Sequence, residues 1–297
     1  MRLQTFSRIA SLALAGLLTI PATLNAAPPV NSQELARADV PRGLHQDPQW
    51  EIIRPHLPDP ATATAGQLET AADVLRARRF PEDALEYYNY ALKRGGAGNE
   101  LYNKIGVLFM ELHQYPQARV SFKAAIAVKK NDARAWNNLG ALDYISQNYG
   151  SAISEYKRAI RLNKKSAIFH SNLATTYIEQ KDYDSARPEL IAAVTLDPSV
   201  FHRGGTGGSS AHILTPGDRA RFCFEMARIY AARGEQALML HYLAMAKEAG
   251  FDLANEMSND AQLGRFRKDP RVVAILKNAD MLMPTPDVPP EDFKPLE

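Results

Sequence analysis

The stretch Trp136-Asn-Asn-Leu-Gly140 decides the fold, because weaker copies of it stand at one fixed distance on either side. Tyr102-Asn-Lys-Ile-Gly106 lies 34 residues earlier, and His170-Ser-Asn-Leu-Ala174 lies 34 residues later. Four further columns keep this spacing: Tyr115, Tyr149 and Tyr183; Ala118, Ala152 and Ala186; Phe122, Tyr156 and Leu190; Ala125, Ala159 and Ala193. A fixed period of this length predicts a stack of similar structural units.

Each unit has the residues for two amphipathic helices that meet at small side chains. Gly106, Gly140 and Ala174 permit a close approach of the two helices, and aromatic residues on the second helix fill the space between units. A single unit cannot bury its apolar face, so neighbours must stack to complete a core. The sequence therefore predicts an all-α fold, with Trp136 buried between the helices of its unit.

At these residues the chain resembles the tetratricopeptide repeat family, whose pattern is Trp-x2-Leu-Gly-x2-Tyr, then Ala-x3-Phe, then Ala and Pro. Four positions depart from it: Asp143 takes the Tyr place, His170 takes the Trp place of the next unit, and Phe109 and Lys130 take the Tyr and Pro places of the preceding one. The resemblance implies a right-handed α-solenoid of helix-turn-helix repeats. It also implies that the first helices line a concave groove, which in this family commonly binds an extended peptide.

The repeat pattern and the composition divide the chain into ten segments. The predicted order is a signal peptide (1–26), a Pro-rich linker (27–64), a divergent first repeat (65–98), three further repeats (99–132, 133–166 and 167–200), a Gly-rich loop (201–215), a divergent fifth repeat (216–250), a helical cap (251–280) and a Pro-rich tail (281–297). In the linker, four apolar residues are expected to pack onto the first repeat: Trp50, Ile52, Ile53 and Leu57.

The first residues have the pattern of an export signal. Arg2 and Arg8 precede a run of about twelve mostly apolar residues, and small residues follow at Asn25-Ala26-Ala27. The run is shorter than the roughly 20 residues that span a bilayer, which favours cleavage after Ala26 or Ala27 over a permanent anchor. The sequence thus predicts a periplasmic or secreted protein with no integral membrane span after cleavage.

Composition excludes several classes of protein. The 297 residues are 45% hydrophobic and 23% charged, which excludes disorder over the whole chain. The formal net charge of +2 gives no general argument for a nucleic-acid partner, and we expect none. The single cysteine, Cys223, excludes an intramolecular disulfide and a cysteine-built zinc site. Its apolar neighbours favour a buried core thiol.

Two asparagines one repeat apart are the main candidates for ligand contact. Asn138 and Asn172 stand just before the pairs Leu139-Gly140 and Leu173-Ala174. Lys104 has the same place in the preceding repeat, before Ile105-Gly106. They resemble the asparagine ladder of the O-linked N-acetylglucosamine transferase, whose amides hydrogen-bond a peptide backbone. The alternative is that asparagine is merely common on this helix face. The residues predicted for the groove are Asn103, Lys104, Arg134, Asn137, Asn138, Tyr144, Ser171, Asn172 and Thr175.

Positive charge is concentrated in the middle of the chain. Residues 99–165 hold eleven basic and five acidic residues. Lys129-Lys130 and Lys164-Lys165 are expected at the ends of second helices, where cations meet the negative end of the helix dipole. A surface for an anionic partner is the alternative interpretation.

No pattern predicts catalysis. The Gly-rich segment lacks the Lys-Ser/Thr ending of a phosphate-binding loop, and His202 and His212 lack a metal-binding spacing, so no metal or cofactor is expected. We expect a flexible surface loop there, with an ordered partner-binding loop as the alternative. The sequence predicts an exported, non-enzymatic scaffold with a protein or peptide partner. The alternatives are a self-associating, envelope-organising protein, or an enzyme that uses the loop with His202, Arg203 and His212.

Overall fold

The computed structural model describes residues 45–201 and 215–277, which form thirteen α-helices and no strand. The helices are α1 (Pro48–Ile53), α2 (Ala65–Ala77), α3 (Pro81–Lys93), α4 (Gly98–Glu111), α5 (Tyr115–Val128), α6 (Ala133–Ile145), α7 (Tyr149–Leu162), α8 (Ala167–Glu179), α9 (Tyr183–Leu196), α10 (Pro216–Arg233), α11 (Gln236–Glu248), α12 (Leu253–Asn259) and α13 (Pro270–Lys277). Helices α2 to α11 pair as five successive hairpins. The expected all-α solenoid is confirmed. The predicted signal peptide, residues 202–214 of the Gly-rich loop and the predicted tail lie outside the described residues.

One type of turn joins the two helices of every hairpin. A residue with φ between 58° and 65° follows the first helix in the first four hairpins: Arg79, His113, Gln147 and Lys181. Gly234 takes this place in the fifth hairpin, with φ 78°. The next N–H then donates to a carbonyl five residues earlier, as from Gln114 to Phe109 at 2.8 Å. This left-handed helix end gives each hairpin the same geometry.

The helices of a hairpin meet where a first-helix glycine faces an aromatic ring. A Cβ atom on Gly106 would lie 2.5 Å from the ring of Phe122, and one on Gly140 would lie 2.9 Å from the ring of Tyr156. Both rings are fully buried. The spacing between the two helices therefore depends on the absence of a side chain at these two positions.

The hairpins stack so that the first helices form an inner layer. Helix α4 packs on α6 and α6 packs on α8, while each second helix packs on the next first helix, α3 on α4, α5 on α6 and α7 on α8. The first helices thus line the concave face, and the second helices lie on the outer face. The buried apolar side chains run through the whole stack, from Trp50 in α1 to Ile275 in α13.

Short helices cover both ends of the described stack. Trp50 is buried in the core of the first hairpin, with Ile53 and Leu57 packed against it, as expected. Ile52 is wrongly assigned to this contact, because it points outward and is 69% exposed. The segment predicted as an extended linker therefore contains a helix. Asp47 caps the start of this helix, because its side chain accepts a hydrogen bond from the N–H of Gln49. At the other end, α13 packs on α11.

Trp136 is not buried as the sequence predicted. Its ring is only partly buried, and its indole N–H donates to the carbonyl of Lys130 at 3.0 Å. His170, one hairpin later, makes the equivalent contact from Nε2 to the carbonyl of Lys164 at 3.2 Å. Both rings therefore lie against the turn that precedes their helix, while Phe122 and Tyr156 fill the core.

This arrangement predicts different stability losses for two aromatic residues. Phe122→Ala is expected to cost about 3–5 kcal/mol of unfolding free energy, because it empties a fully buried site. Trp136→Ala is expected to cost about half of that or less, since its ring is partly solvated. Chemical denaturation followed by circular dichroism measures both values. Equal losses would contradict the assignment of Phe122, rather than Trp136, to the core.

Candidate peptide-binding groove

The nine predicted groove residues come from three neighbouring inner helices. Helix α4 supplies Asn103 and Lys104, α6 supplies four residues and α8 supplies three. The members from α6 are Arg134, Asn137, Asn138 and Tyr144, and those from α8 are Ser171, Asn172 and Thr175. They share one surface because α4, α6 and α8 pack side by side.

A buried carboxylate anchors the polar side chains of this surface. Asp132 caps α6, and its Oδ1 accepts from the N–H groups of Arg134 and Ala135 at 3.0 and 3.2 Å. Its Oδ2 accepts from Asn99 Nδ2 at 2.7 Å and from Asn103 Nδ2 at 3.2 Å. One side chain therefore begins a helix and also fixes two amides of the preceding hairpin.

Four asparagine amides continue from this carboxylate as one hydrogen-bonded row. Asn172 Nδ2 donates to Asn137 Oδ1 at 3.0 Å, and Asn137 Nδ2 donates to Asn138 Oδ1 at 3.4 Å. Asn138 Nδ2 then donates to Asn103 Oδ1 at 3.4 Å, and Asn103 donates to Asp132. All four amides point in one direction, so the row crosses three hairpins and ends on a negative charge. We call Asn103, Asn137, Asn138 and Asn172 the amide row.

The two predicted ladder asparagines differ in their surroundings. Asn172 is 1% exposed, whereas Asn138 is half-buried and keeps part of its amide at the surface. Asn103 and Asn137, which the sequence placed beside the ladder, are members of the same row and nearly buried. The row is therefore both a link between hairpins and, at Asn138, an accessible part of the concave face.

The two predicted groove cations have acidic partners. Lys104 Nζ lies 2.7 Å from Glu69 and 2.6 Å from Asp73 on helix α2, so it joins the first two hairpins. Arg134 lies 3.0 Å from Glu100 and both side chains are largely exposed. Neither cation gives this face a net positive charge.

Ser171 and Thr175 are not available as groove contacts, contrary to the sequence interpretation. Both are fully buried, and their hydroxyls donate to carbonyls of their own helix, those of Ile168 and Ser171, at 2.9 Å. Asn103 and Asn137, which occupy the column of Ser171 in the two preceding repeats, are also buried, and helix α10 packs against α8 after the predicted loop. The periodic pattern of residues 99–200 gave no information on that contact.

Tyr144 belongs to a polar cluster that the sequence did not identify. Its hydroxyl donates to Glu179 Oε1 at 3.3 Å, and its ring lies 5.7 Å from that of Tyr149. Lys181 forms an ion pair with the buried Asp218 of α10. Burial, followed by the nearby Asp218 charge, raises the pKa of Glu179. The cluster combines residues from both sides of the interruption in the repeat pattern, so no periodic signal could have revealed it.

A second cluster consists of one arginine, Arg119, and the carboxyl groups of Asp143 and Glu155. Arg119 Nη2 lies 2.5 Å from Asp143 Oδ1, and Asp143 is buried. The Glu155 side chain hydrogen-bonds to Asp143, and burial followed by this contact raises the pKa of Glu155 to about 8. One arginine balances one carboxylate, so the second carboxyl keeps its proton at neutral pH. The sequence feature that pointed to this cluster was Asp143, which stands where the repeat pattern has a tyrosine.

A third cluster joins the fifth hairpin to its neighbours. Glu225 is fully buried and contacts three arginines at 2.9–3.0 Å, namely Arg187 of α9 and Arg221 and Arg228 of its own helix. Arg221 also pairs with Glu256 of α12. These contacts link α9, α10 and α12, where the repeat pattern is interrupted. The spacing of 221, 225 and 228 on one helix face was a visible signal.

Comparison with known proteins identifies the repeats. Residues 142–200, which include α7, α8 and α9, match the sequence model of the tetratricopeptide repeat. Over these residues the chain is similar to the tetratricopeptide repeat family. No curated protein matches the chain.

Several solved structures are similar to this chain. PilF of Pseudomonas aeruginosa is 18% identical with a TM-score of 0.47, over 74% of this chain and 88% of PilF. MamA is 19% identical with a TM-score of 0.42, over 64% of this chain and 97% of MamA. YrrB, described as a tetratricopeptide protein with an unusual peptide-binding site, is 18% identical with a TM-score of 0.42, over 66% of this chain and 92% of YrrB.

Two features are absent from the described residues: a helix that could span a membrane and a cluster of metal-binding side chains. Among residues 45–201 and 215–277, no helix is long and apolar enough to cross a bilayer. In the same ranges, no group of three or more histidine, cysteine or carboxylate side chains is arranged to hold a metal ion. Cys223 is buried, and burial raises the pKa of its thiol to about 12.

The carboxyl pair predicts a pH-dependent stability. Because folding raises the pKa of Glu155 from its ordinary 4.5 to about 8, the folded state holds this proton more tightly than the unfolded state. The stability from this group is complete below pH 4.5 and is lost as the pH rises through 8. Glu155→Gln keeps a donor for Asp143 and does not titrate, so this variant should be the more stable form at pH 9.

Denaturation of wild type and Glu155→Gln between pH 5 and pH 9 measures the effect. The difference in unfolding free energy between the two proteins should grow steadily with pH. A constant difference would show that Glu155 does not retain a proton beside Asp143.

Proposed function

We propose that this protein is a non-enzymatic scaffold that binds extended polypeptide segments on the concave face of its second to fourth repeats. The observation that carries the proposal is the amide row, which places a neutral, hydrogen-bonding surface across α4, α6 and α8. An amide offers both a donor and an acceptor, which is what a peptide backbone requires of its partner. Recognition of a backbone rather than of particular side chains suits such a surface.

Asn138 is the member of the row with capacity for a ligand. It donates one N–H to Asn103 and accepts one hydrogen bond from Asn137. An amide has two N–H groups and two acceptor lone pairs, so one of each is left for a peptide. Its two neighbours in the row hold the amide in place. A peptide therefore meets an oriented group, which reduces the entropy lost on binding.

The charges around the groove favour a neutral or mixed peptide segment. Lys104 is neutralised by two acids of the first repeat, and Arg134 by Glu100. The exposed Arg134–Glu100 pair stands at the beginning of α4 and α6 and offers one charge of each sign. Such a surface does not select one strongly charged tail. It suits polypeptide segments of different sequences.

The test is a single substitution in the amide row. Asn138→Ala removes the accessible amide and is expected to weaken binding of a partner peptide about threefold to tenfold, the loss of one or two ordinary hydrogen bonds. The peptide is taken from a partner captured by pull-down with the purified protein and identified by mass spectrometry. Calorimetric titration measures the affinity, and several unrelated peptides should lose affinity by a similar factor.

Asn255→Ala is the matched control, because Asn255 is an exposed asparagine on α12, outside the three helices that carry the row. It should bind like wild type. If Asn138→Ala is folded and binds equally well, the concave face is not the binding surface. Asn172→Ala serves a different purpose: its side chain is buried, so its expected effect is on the unfolding free energy.

We further propose that the protein is exported. Support comes from the sequence alone, in which two arginines, an apolar run and small residues precede the solenoid. The mature chain is expected to begin near Ala27 and to occur in the periplasmic or secreted fraction. N-terminal sequencing of native material is the measurement, and recovery of Met1 would contradict export by cleavage.

A further inference from the structure

The outer face of the second and third repeats carries cations without matching anions. Residues 112–178 contain ten lysines and arginines and three acids, Asp132, Asp143 and Glu155. Asp132 and Asp143 are buried, and Glu155 lies against Asp143. None of the three acids presents a free carboxylate to the surface. The exposed charge contributed by this stretch of sequence is therefore almost purely positive.

Nine of the ten cations are exposed, and eight of these, all except Arg134 with its partner Glu100, follow the repeat. They lie on α5, on α7 and in the turns after these two helices, and Lys123 and Lys130 have counterparts 34 residues later in Lys157 and Lys164. Among the described residues, none of the eight is in an ion pair. We call these residues the basic edge: Lys123, Lys129, Lys130, Lys157, Arg158, Arg161, Lys164 and Lys165.

Apolar side chains stand among these cations. Val128 precedes Lys129 at the end of α5 and is 58% exposed. Leu162 is partly exposed at the same place of the third repeat, and Leu196 of the fourth repeat is 41% exposed. The ring of Trp136 is only partly buried and lies against the turn of Lys130. The surface thus combines positive charge with apolar and aromatic groups.

We propose that the basic edge binds the surface of a bilayer that contains anionic phospholipid. Lysines and arginines are attracted to anionic headgroups, while exposed aliphatic and indole groups are favourable at the boundary between headgroups and acyl chains. A nucleic acid would use the cations but would leave Val128 and the leucines without a partner. The combination of groups therefore favours a lipid surface.

The location of the edge leaves the concave face free. The cations belong to second helices and to the turns that follow them, whereas the amide row belongs to the first helices α4, α6 and α8. A solenoid held at a membrane by its outer face presents its groove away from that contact. The inference is independent of the proposed peptide binding, and either one can fail alone.

Co-sedimentation with lipid vesicles tests the proposal. The full mature chain is mixed with vesicles of phosphatidylcholine and phosphatidylglycerol, or of phosphatidylcholine alone. We expect binding to the anionic vesicles at low salt, weaker binding at high salt and none to the neutral vesicles. Absence of binding to anionic vesicles at low salt would overturn the proposal.

Two variants of equal charge locate the contact. The edge variant carries Lys129→Gln, Lys130→Gln, Lys164→Gln and Lys165→Gln. The control variant carries Arg54→Gln, Arg78→Gln, Lys268→Gln and Lys277→Gln, four exposed cations elsewhere on the described surface. Each cation near an anionic leaflet strengthens binding about fivefold, so the edge variant should bind at least about tenfold more weakly. The control should remain within about threefold of wild type.

Three further results would each change the assignment of the surface or of its partner. An equal loss in both variants would mean that only the net charge matters, which overturns the assignment to the basic edge. Val128→Ser should weaken vesicle binding with the charge unchanged, and no change would remove the apolar part of the argument. Tighter binding of a single-stranded oligonucleotide than of anionic vesicles, lost in the edge variant, would make the partner a nucleic acid instead.

Discussion

The structure depends on one steric constraint, the contact between a small residue on the first helix of a repeat and a large side chain on the second. At Gly106 and Gly140 a single added carbon would collide with the ring of Phe122 or Tyr156. With this contact and the common left-handed turn, all hairpins have similar geometry. Residues 34 positions apart then become neighbours in space, so a sequence column becomes a row on the surface.

The amide row and the basic edge are two results of this rule. Asn138 and Asn172 occupy one column on the first helices, and each reaches an asparagine of the preceding repeat. Lys130 and Lys164 occupy another column, on the outer face. Polar groups on the inner face have internal partners, including Lys104 with its two acids, while the eight cations of the basic edge form no ion pair among the described residues. The same period therefore produces a neutral inner face and a positive outer one.

The sequence was sufficient where the period determines the environment and insufficient where it does not. The hairpins, their small contact residues and the asparagine column could all be predicted from spacing. The burial of Ser171 and Thr175 could not, because their hydroxyls donate to carbonyls of their own helix and not to a residue one repeat away. The partial exposure of Trp136 was missed for a different reason. A column shows that a residue is equivalent to others, but it does not show whether that position faces the core or the preceding turn.

Departures from the repeat pattern are informative in their own right. Asp143 stands where the neighbouring repeats have Phe109 and Tyr177, and it is buried like them. A carboxylate in an aromatic position needs a cation and hydrogen-bond donors, and Arg119 and Glu155 supply them. Replacing the aspartate with an aromatic residue would remove the need for both partners. The titrating pair of Asp143 and Glu155 therefore makes the junction between the second and third repeats sensitive to pH.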